Sequence, residues 1–161
     1  LSIRDTLKVV VKRNYAPYQS LDSCKIIIDS LNFTGTAVFT NVPTGTYYLV
    51  IKGGNVLETW SKSPGVQLIS GSTVSYDFSA SVAQAYGSNQ IVKGTKACLY
   101  SSDVNGDGII DGMDNARVSN DAFHQLIGIV PTDLNGDRFV DGTDVVIVDV
   151  NSANYIFKRT P

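Results

Sequence analysis

Two stretches of this 161-residue chain gather hard oxygen donors at one repeated spacing. Asp103, Asn105, Asp107, Asp111 and Asp114 fall at positions 1, 3, 5, 9 and 12 of a twelve-residue segment. Asp133, Asn135, Asp137, Asp141 and Asp144 occupy the same positions thirty residues on. Four carboxylates packed into so short a segment repel one another and call for a cation. Calcium takes six to eight oxygens at roughly 2.3–2.6 Å, and position 7 of such a loop adds a backbone carbonyl. Ile109 and Phe139 stand there. The pattern therefore predicts two Ca2+ ions, held by Asp103, Asn105, Asp107, Ile109, Asp111 and Asp114 and by Asp133, Asn135, Asp137, Phe139, Asp141 and Asp144.

The spacing is that of an EF-hand-type loop. Gly108 fits position 6, where the backbone turns sharply. Arg138 occupies that position in the second loop, which predicts a more strained and weaker site. Position 12 is Asp, where ordinary EF-hands place a bidentate Glu. Paired D-x-N-x-D loops ending in Asp resemble dockerin repeats, over roughly 102–159. That resemblance implies one helix after each loop, none before it, and a cohesin-like domain as partner. Many dockerins carry Ser-Thr at loop positions 10 and 11; Gly112-Met113 and Gly142-Thr143 depart from that pattern.

These loops need elements to hold them. Val118, Ala122, Phe123, Leu126 and Ile127 recur at helical spacing and predict a helix over Asp114–Ile127, stopped by Gly128 and Pro131. Val145–Val148 reads as strand by propensity, but the loop register predicts a helix over Thr143–Asn151. Val148, Ala153, Ile156 and Phe157 would then repeat Val118, Phe123, Leu126 and Ile127 in a pseudo-twofold core.

Upstream the periodicity changes. Leu7–Arg13, Cys24–Asp29, Thr36–Thr40, Thr46–Lys52, Leu57–Trp60, Val66–Ile69 and Thr73–Phe78 read as short strands between Gly, Pro, Asn and Ser breakers, with one more strand within 82–97. Strands at this spacing predict an antiparallel β-sandwich. The run Phe39-Thr-Asn41-Val-Pro43-Thr-Gly45-Thr-Tyr47 resembles a turn of prealbumin-like sandwiches, among them carboxypeptidase regulatory domains and Cna-B repeats. A sandwich followed by a paired calcium module is similar to the X-module–dockerin pair that ends some scaffoldins. The expected fold is mainly β with a small α module: a prealbumin-like sandwich over 1–100 and a dockerin-like two-calcium module over 101–161.

Residues 1–102 hold nine Lys/Arg against five Asp/Glu, a net of +4; residues 103–161 hold four against ten, a net of −6. No phosphate-binding surface emerges, which excludes nucleic acid, and no apolar run is long enough to span a membrane. Leu1 is not an initiator Met and no signal peptide is visible, so the chain reads as a processed protein or a fragment. Weak calcium sites fill near millimolar calcium, outside the cell, which makes the protein extracellular or cell-surface. There Cys24 and Cys98 would oxidise, a closure worth roughly 4 kcal/mol at best; two buried free thiols are the alternative. Asn32-Phe-Thr34 fits an N-glycosylation sequon, while Thr6 and Ser30 sit in Asp-Thr/Ser-Leu contexts that resemble bacterial O-glycosylation sites.

His124 is the only histidine and Glu58 the only glutamate, and no nucleophile motif, phosphate loop or zinc spacing is present. The chain is expected not to be an enzyme. Tyr15, Tyr18 and Trp60 could stack on sugars. The strand Leu1–Arg13 could complete the sheet edge of a neighbouring copy. The sequence thus predicts a calcium-binding assembly protein, a self-associating subunit of a filament or surface appendage. The alternatives are an X-module–dockerin fragment that binds a cohesin, and a carbohydrate-binding module of a larger secreted enzyme.

Overall fold

The computed structural model describes residues 5–29 and 31–161. The chain divides into two compact units. One holds the chain up to Lys52, Glu58–Cys98 and Arg159–Pro161; the other holds Gly53–Leu57 and Leu99–Lys158. Among the described residues the fold is mostly β with two α-helices, and its sheets are antiparallel.

The first unit is built on β1 (Asp5–Arg13), β2 (Ser20–Ile28), β3 (Gly45–Lys52), β4 (Thr59–Trp60) and β5 (Val66–Leu68). They form one sheet in the order β2-β1-β3-β4, with β5 also paired to β3. A separate hairpin joins β6 (Ile91–Lys93) to β7 (Lys96–Cys98). Alternation along β1 sends Val9 and Val11 to one side of the sheet and Val10 to the other, and all three are buried. The register sets Val10 against Val50, and Val50 against Trp60. Those three and Tyr48 make a core cluster, with Tyr18 and Tyr86 packed on it. Its rings meet edge to face, Tyr48 and Trp60 at 5.6 Å and Tyr18 and Trp60 at 6.0 Å. Trp60 Nε1–H donates to Glu58 at 2.6 Å, and Glu58 also pairs with Lys52 at 2.5 Å.

This burial changes the reading of Trp60. Only 4% exposed, it fills the core and presents no face to a sugar. Trp60→Ala should destabilise the first unit by about 3–5 kcal/mol, equally with and without calcium; urea melts in the two conditions check this.

Several other expectations are corrected. Thr36–Thr40 and Thr73–Phe78 form no strands. Thr40 and Asn41 donate their N–H groups to the Asp22 carboxylate at 3.3 and 3.4 Å, so side chain replaces ladder beside β2. The 73–78 stretch is likewise tethered by a side chain, the Tyr76 hydroxyl, which donates to Gln84 O and accepts the Lys62 N–H. Strand addition through Leu1–Arg13 is limited by the pairing of its described part. β1 is central, paired with β2 over Asp5–Lys12 and with β3 over Lys8–Arg13, and so has no free edge of that length to donate. Leu1–Arg4 lie outside the described residues. Cys24 and Cys98 are free thiols, one on the outermost strand of the sheet and the other at the end of the β6–β7 hairpin. Among the described residues no helix is long and apolar enough to cross a membrane.

Candidate metal centre

The second unit carries α1 (Gly112–Phe123) and α2 (Gly142–Ala153), each starting inside one of the two oxygen-rich loops. Asp111 and Asp141 are their N-caps, with φ/ψ of −143/−165 and −142/−164. Asp114 and Asp144 complete a capping box in each. This reciprocal cap fixes where each helix begins, which is why Val145–Val148 is helical against its β propensity.

The first helix is shorter than its periodicity suggests. It ends at Phe123, and Gln125, at φ +50, turns the chain away. Leu126 and Ile127 then join the other loop: Val140 N–H donates to Leu126 O at 2.9 Å and Gly128 N–H to Arg138 O at 2.9 Å. The second repeat does the same. Tyr155, at φ +48, ends α2, and β9 (Ile156–Phe157) pairs with β8 (Ile109–Ile110) in the first loop. Each loop is therefore clasped by the chain leaving the opposite helix. Phe123 and Ile127, expected in the core, are exposed instead. The core is Val104, Val118, Val140 and Val148, with Ala122, Val130, Leu134 and Val145 against it.

The two loops share one framework of hydrogen bonds, to which the second adds Leu134 N–H to Asp144 at 2.7 Å and the Thr143 hydroxyl to Asp141. The position-1 carboxylate accepts the position-6 N–H, Asp103 from Gly108 at 3.4 Å and Asp133 from Arg138 at 2.9 Å. Position 3 accepts from position 5, Asn105 from Asp107 and Asn135 from Asp137, each at 2.8 Å. Position 5 accepts from position 7, Asp107 from Ile109 and Asp137 from Phe139, each at 2.8 Å. Position 9 accepts from position 11, Asp111 from Met113 at 2.8 Å and Asp141 from Thr143 at 2.7 Å. Position 12 spans the loop: Asp114 accepts from Asn105 at 3.1 Å and Asp111 at 3.0 Å, and Asp144 from Asn135 and Asp141 at the same distances.

Asp114 and Asp144 are fully buried, and Asp103 nearly so. Burial pushes the Asp103 carboxyl above its ordinary range; the Gly108 N–H pulls it down, and the charges of Asp114 and Asp107 raise it again. Exposed Asp141 is held below the ordinary range by the hydroxyl and N–H of Thr143. The carboxylates turn onto backbone N–H groups, and no three acidic, histidine or cysteine side chains converge on one point among the described residues. As a donor set, these loops offer carboxylate, amide and carbonyl oxygen without sulfur or imidazole, which suits a hard cation and not zinc or copper. In the first loop, buried Asp103 under the charges of Asp114 and Asp107 fits such an ion.

The loops differ at position 6. Gly108 has φ +90 and Arg138 φ +74, a left-handed backbone that costs a side chain about 1–2 kcal/mol. Arg138→Gly should stabilise the second unit by about 1 kcal/mol and tighten calcium at the second loop alone, measured by thermal melts and calorimetric titration.

Further supports were missed in the sequence. Asn151 donates to Ser102 Oγ at 3.0 Å, and Thr132 donates to Asp121 at 2.8 Å. The thirty-residue offset maps one pair onto the other, so doubling the repeat would have found them. Asn55, which donates to Asp133 O at 3.4 Å, lies in a segment with no local signal. His124 is exposed, its ring beside Asn120 O. Asn32 and Thr6 are exposed, and Asn32 Oδ1 accepts from the Thr34 N–H and hydroxyl; Ser30 lies outside the described residues.

Comparison of the chain with protein-family models, curated proteins and solved structures finds no match.

Proposed function

We propose that this is a non-catalytic, extracellular calcium-binding assembly protein, a self-associating subunit of a filament or surface appendage. In this reading the first unit is a prealbumin-like sandwich and the second a dockerin-like pair of EF-hand-type loops. One ion sits with Asp103, Asn105, Asp107, Ile109, Asp111 and Asp114, the other with Asp133, Asn135, Asp137, Phe139, Asp141 and Asp144. The observation that supports it most is the shared hydrogen-bond framework of the two loops around fully buried Asp114 and Asp144. A hard divalent cation neutralises these carboxylates and stiffens the loops from which both helices start.

Calorimetric titration should find two calcium sites per chain, and electron microscopy should find assemblies that dissolve in chelator. Absence of calcium binding would sink the whole reading. Calcium binding by a chain that stays monomeric at high concentration would sink the assembly part and turn attention to a cohesin-like partner.

A further inference from the structure

Each unit exposes a group of large apolar side chains. In the first, β2 runs out into a tight turn, closed by Asp29 N–H to Thr34 O and Phe33 N–H to Asp29 O, both 2.8 Å. Leu31 and Phe33 on this turn are 90% and 78% exposed, and Val38 beyond it is 71% exposed. In the second, Phe123 ends α1 at 84% exposure, and Ile127 and Ile129 on the clasp that follows are 65% and 86% exposed. Single exposed apolar residues are ordinary, but three so exposed within eight residues of chain make each segment a candidate contact surface.

The units carrying them are oppositely charged. The first has ten Lys/Arg against five Asp/Glu, a net of +5, and the second three against ten, a net of −7. Two calcium ions would bring the second to −3, still opposite in sign.

We propose that the Leu31–Phe33–Val38 patch of one copy docks on the Phe123–Ile127–Ile129 patch of the next. This rests on the assembly reading above and names its contact. The occupant is a second copy because the complementary patch and charge are both present on this chain. A contact between unlike patches is heterologous, and repeated from copy to copy it builds an open chain.

The test uses two full-length variants in calcium, Phe33→Asp and Phe123→Lys. Each adds to its unit a charge that repels the proposed partner. Phe33 has φ +57, a conformation Asp tolerates, and Lys is favourable at a helix C-terminus; circular dichroism and thermal melts should match the parent. Sedimentation velocity should find the parent in oligomers that grow with concentration and each variant monomeric. An equimolar mixture should reassociate, since one intact patch of each kind remains and the two introduced charges are opposite in sign. Dimers of either variant alone, or a mixture that stays monomeric, would overturn the proposed pairing while leaving assembly standing. A monomeric parent would overturn the pairing and the assembly reading together.

Discussion

Chelating calcium should lower the stability of the paired-loop unit by about 5 kcal/mol and leave the five-stranded sheet almost unchanged. Ligand linkage contributes about 2.7 kcal/mol for each site held at a hundredfold excess over its dissociation constant, and two loops double that. The effect stays local because each unit has its own core: Val10, Tyr48, Val50 and Trp60 in one, Val104, Val118, Val140 and Val148 in the other. The chain supplies a separate probe for each. Its single tryptophan, Trp60, reports the first unit, and α1 and α2 lie in the second. Urea unfolding followed by tryptophan fluorescence should give the same midpoint in calcium and in chelator. The far-ultraviolet helical signal should melt at much lower urea in chelator. Coincident shifts of both probes would mean that the units unfold as one block. A helical transition indifferent to calcium would remove the ions from the reading.

What could be read from the sequence depended on how local its cause was. The loops were legible because their chemistry is carried by side chains at fixed offsets, and the two caps follow from the same residues: Asp111 and Asp141, at loop position 9, cap the helices that start within the loops. The start of each helix was therefore within two residues of expectation. The end of α1 was not, since Leu126 and Ile127 continue a helical period yet are drawn into a ladder with Phe139 and Val140, residues contributed by the other repeat. No local pattern encodes that competition. The strands of the first unit divide the same way. β1 and β3 are valine- and tyrosine-rich, pair over six residues, and were expected close to their observed limits. Thr36–Thr40 alternates equally well, but the Asp22 carboxylate takes the N–H groups of Thr40 and Asn41, and the ladder does not form. The Gly53–Leu57 segment was least visible. Leu57 reads as the start of the strand that holds Trp60, yet its N–H donates to Tyr100 O and it belongs to the second unit.

Replacing Asp144 in two ways should separate its hydrogen bonds from its charge. The carboxylate is fully buried; one oxygen accepts from Leu134 N–H at 2.7 Å and Asn135 N–H at 3.1 Å, the other from Asp141 N–H at 3.0 Å. Asp144→Ala strands three backbone donors, each costing about 1–3 kcal/mol, so the second unit should lose at least about 3 kcal/mol in chelator as well as in calcium. Asp144→Asn keeps an oxygen for Leu134 and Asn135 and sets its NH2 against the Asp141 N–H. In chelator that mismatch should cost about 1–2 kcal/mol. Adding calcium should widen the gap between Asp144→Asn and the parent by a further amount comparable to the linkage of one site, about 2–3 kcal/mol, because the neutral amide removes one of the four charges proposed to hold the ion. A gap that calcium leaves unchanged would make Asp144 a brace for the loop backbone and not a ligand. Asp114→Asn should behave alike at the first loop, with a smaller loss in chelator, since Asp114 accepts from Asn105 and Asp111 where Asp144 accepts from three donors.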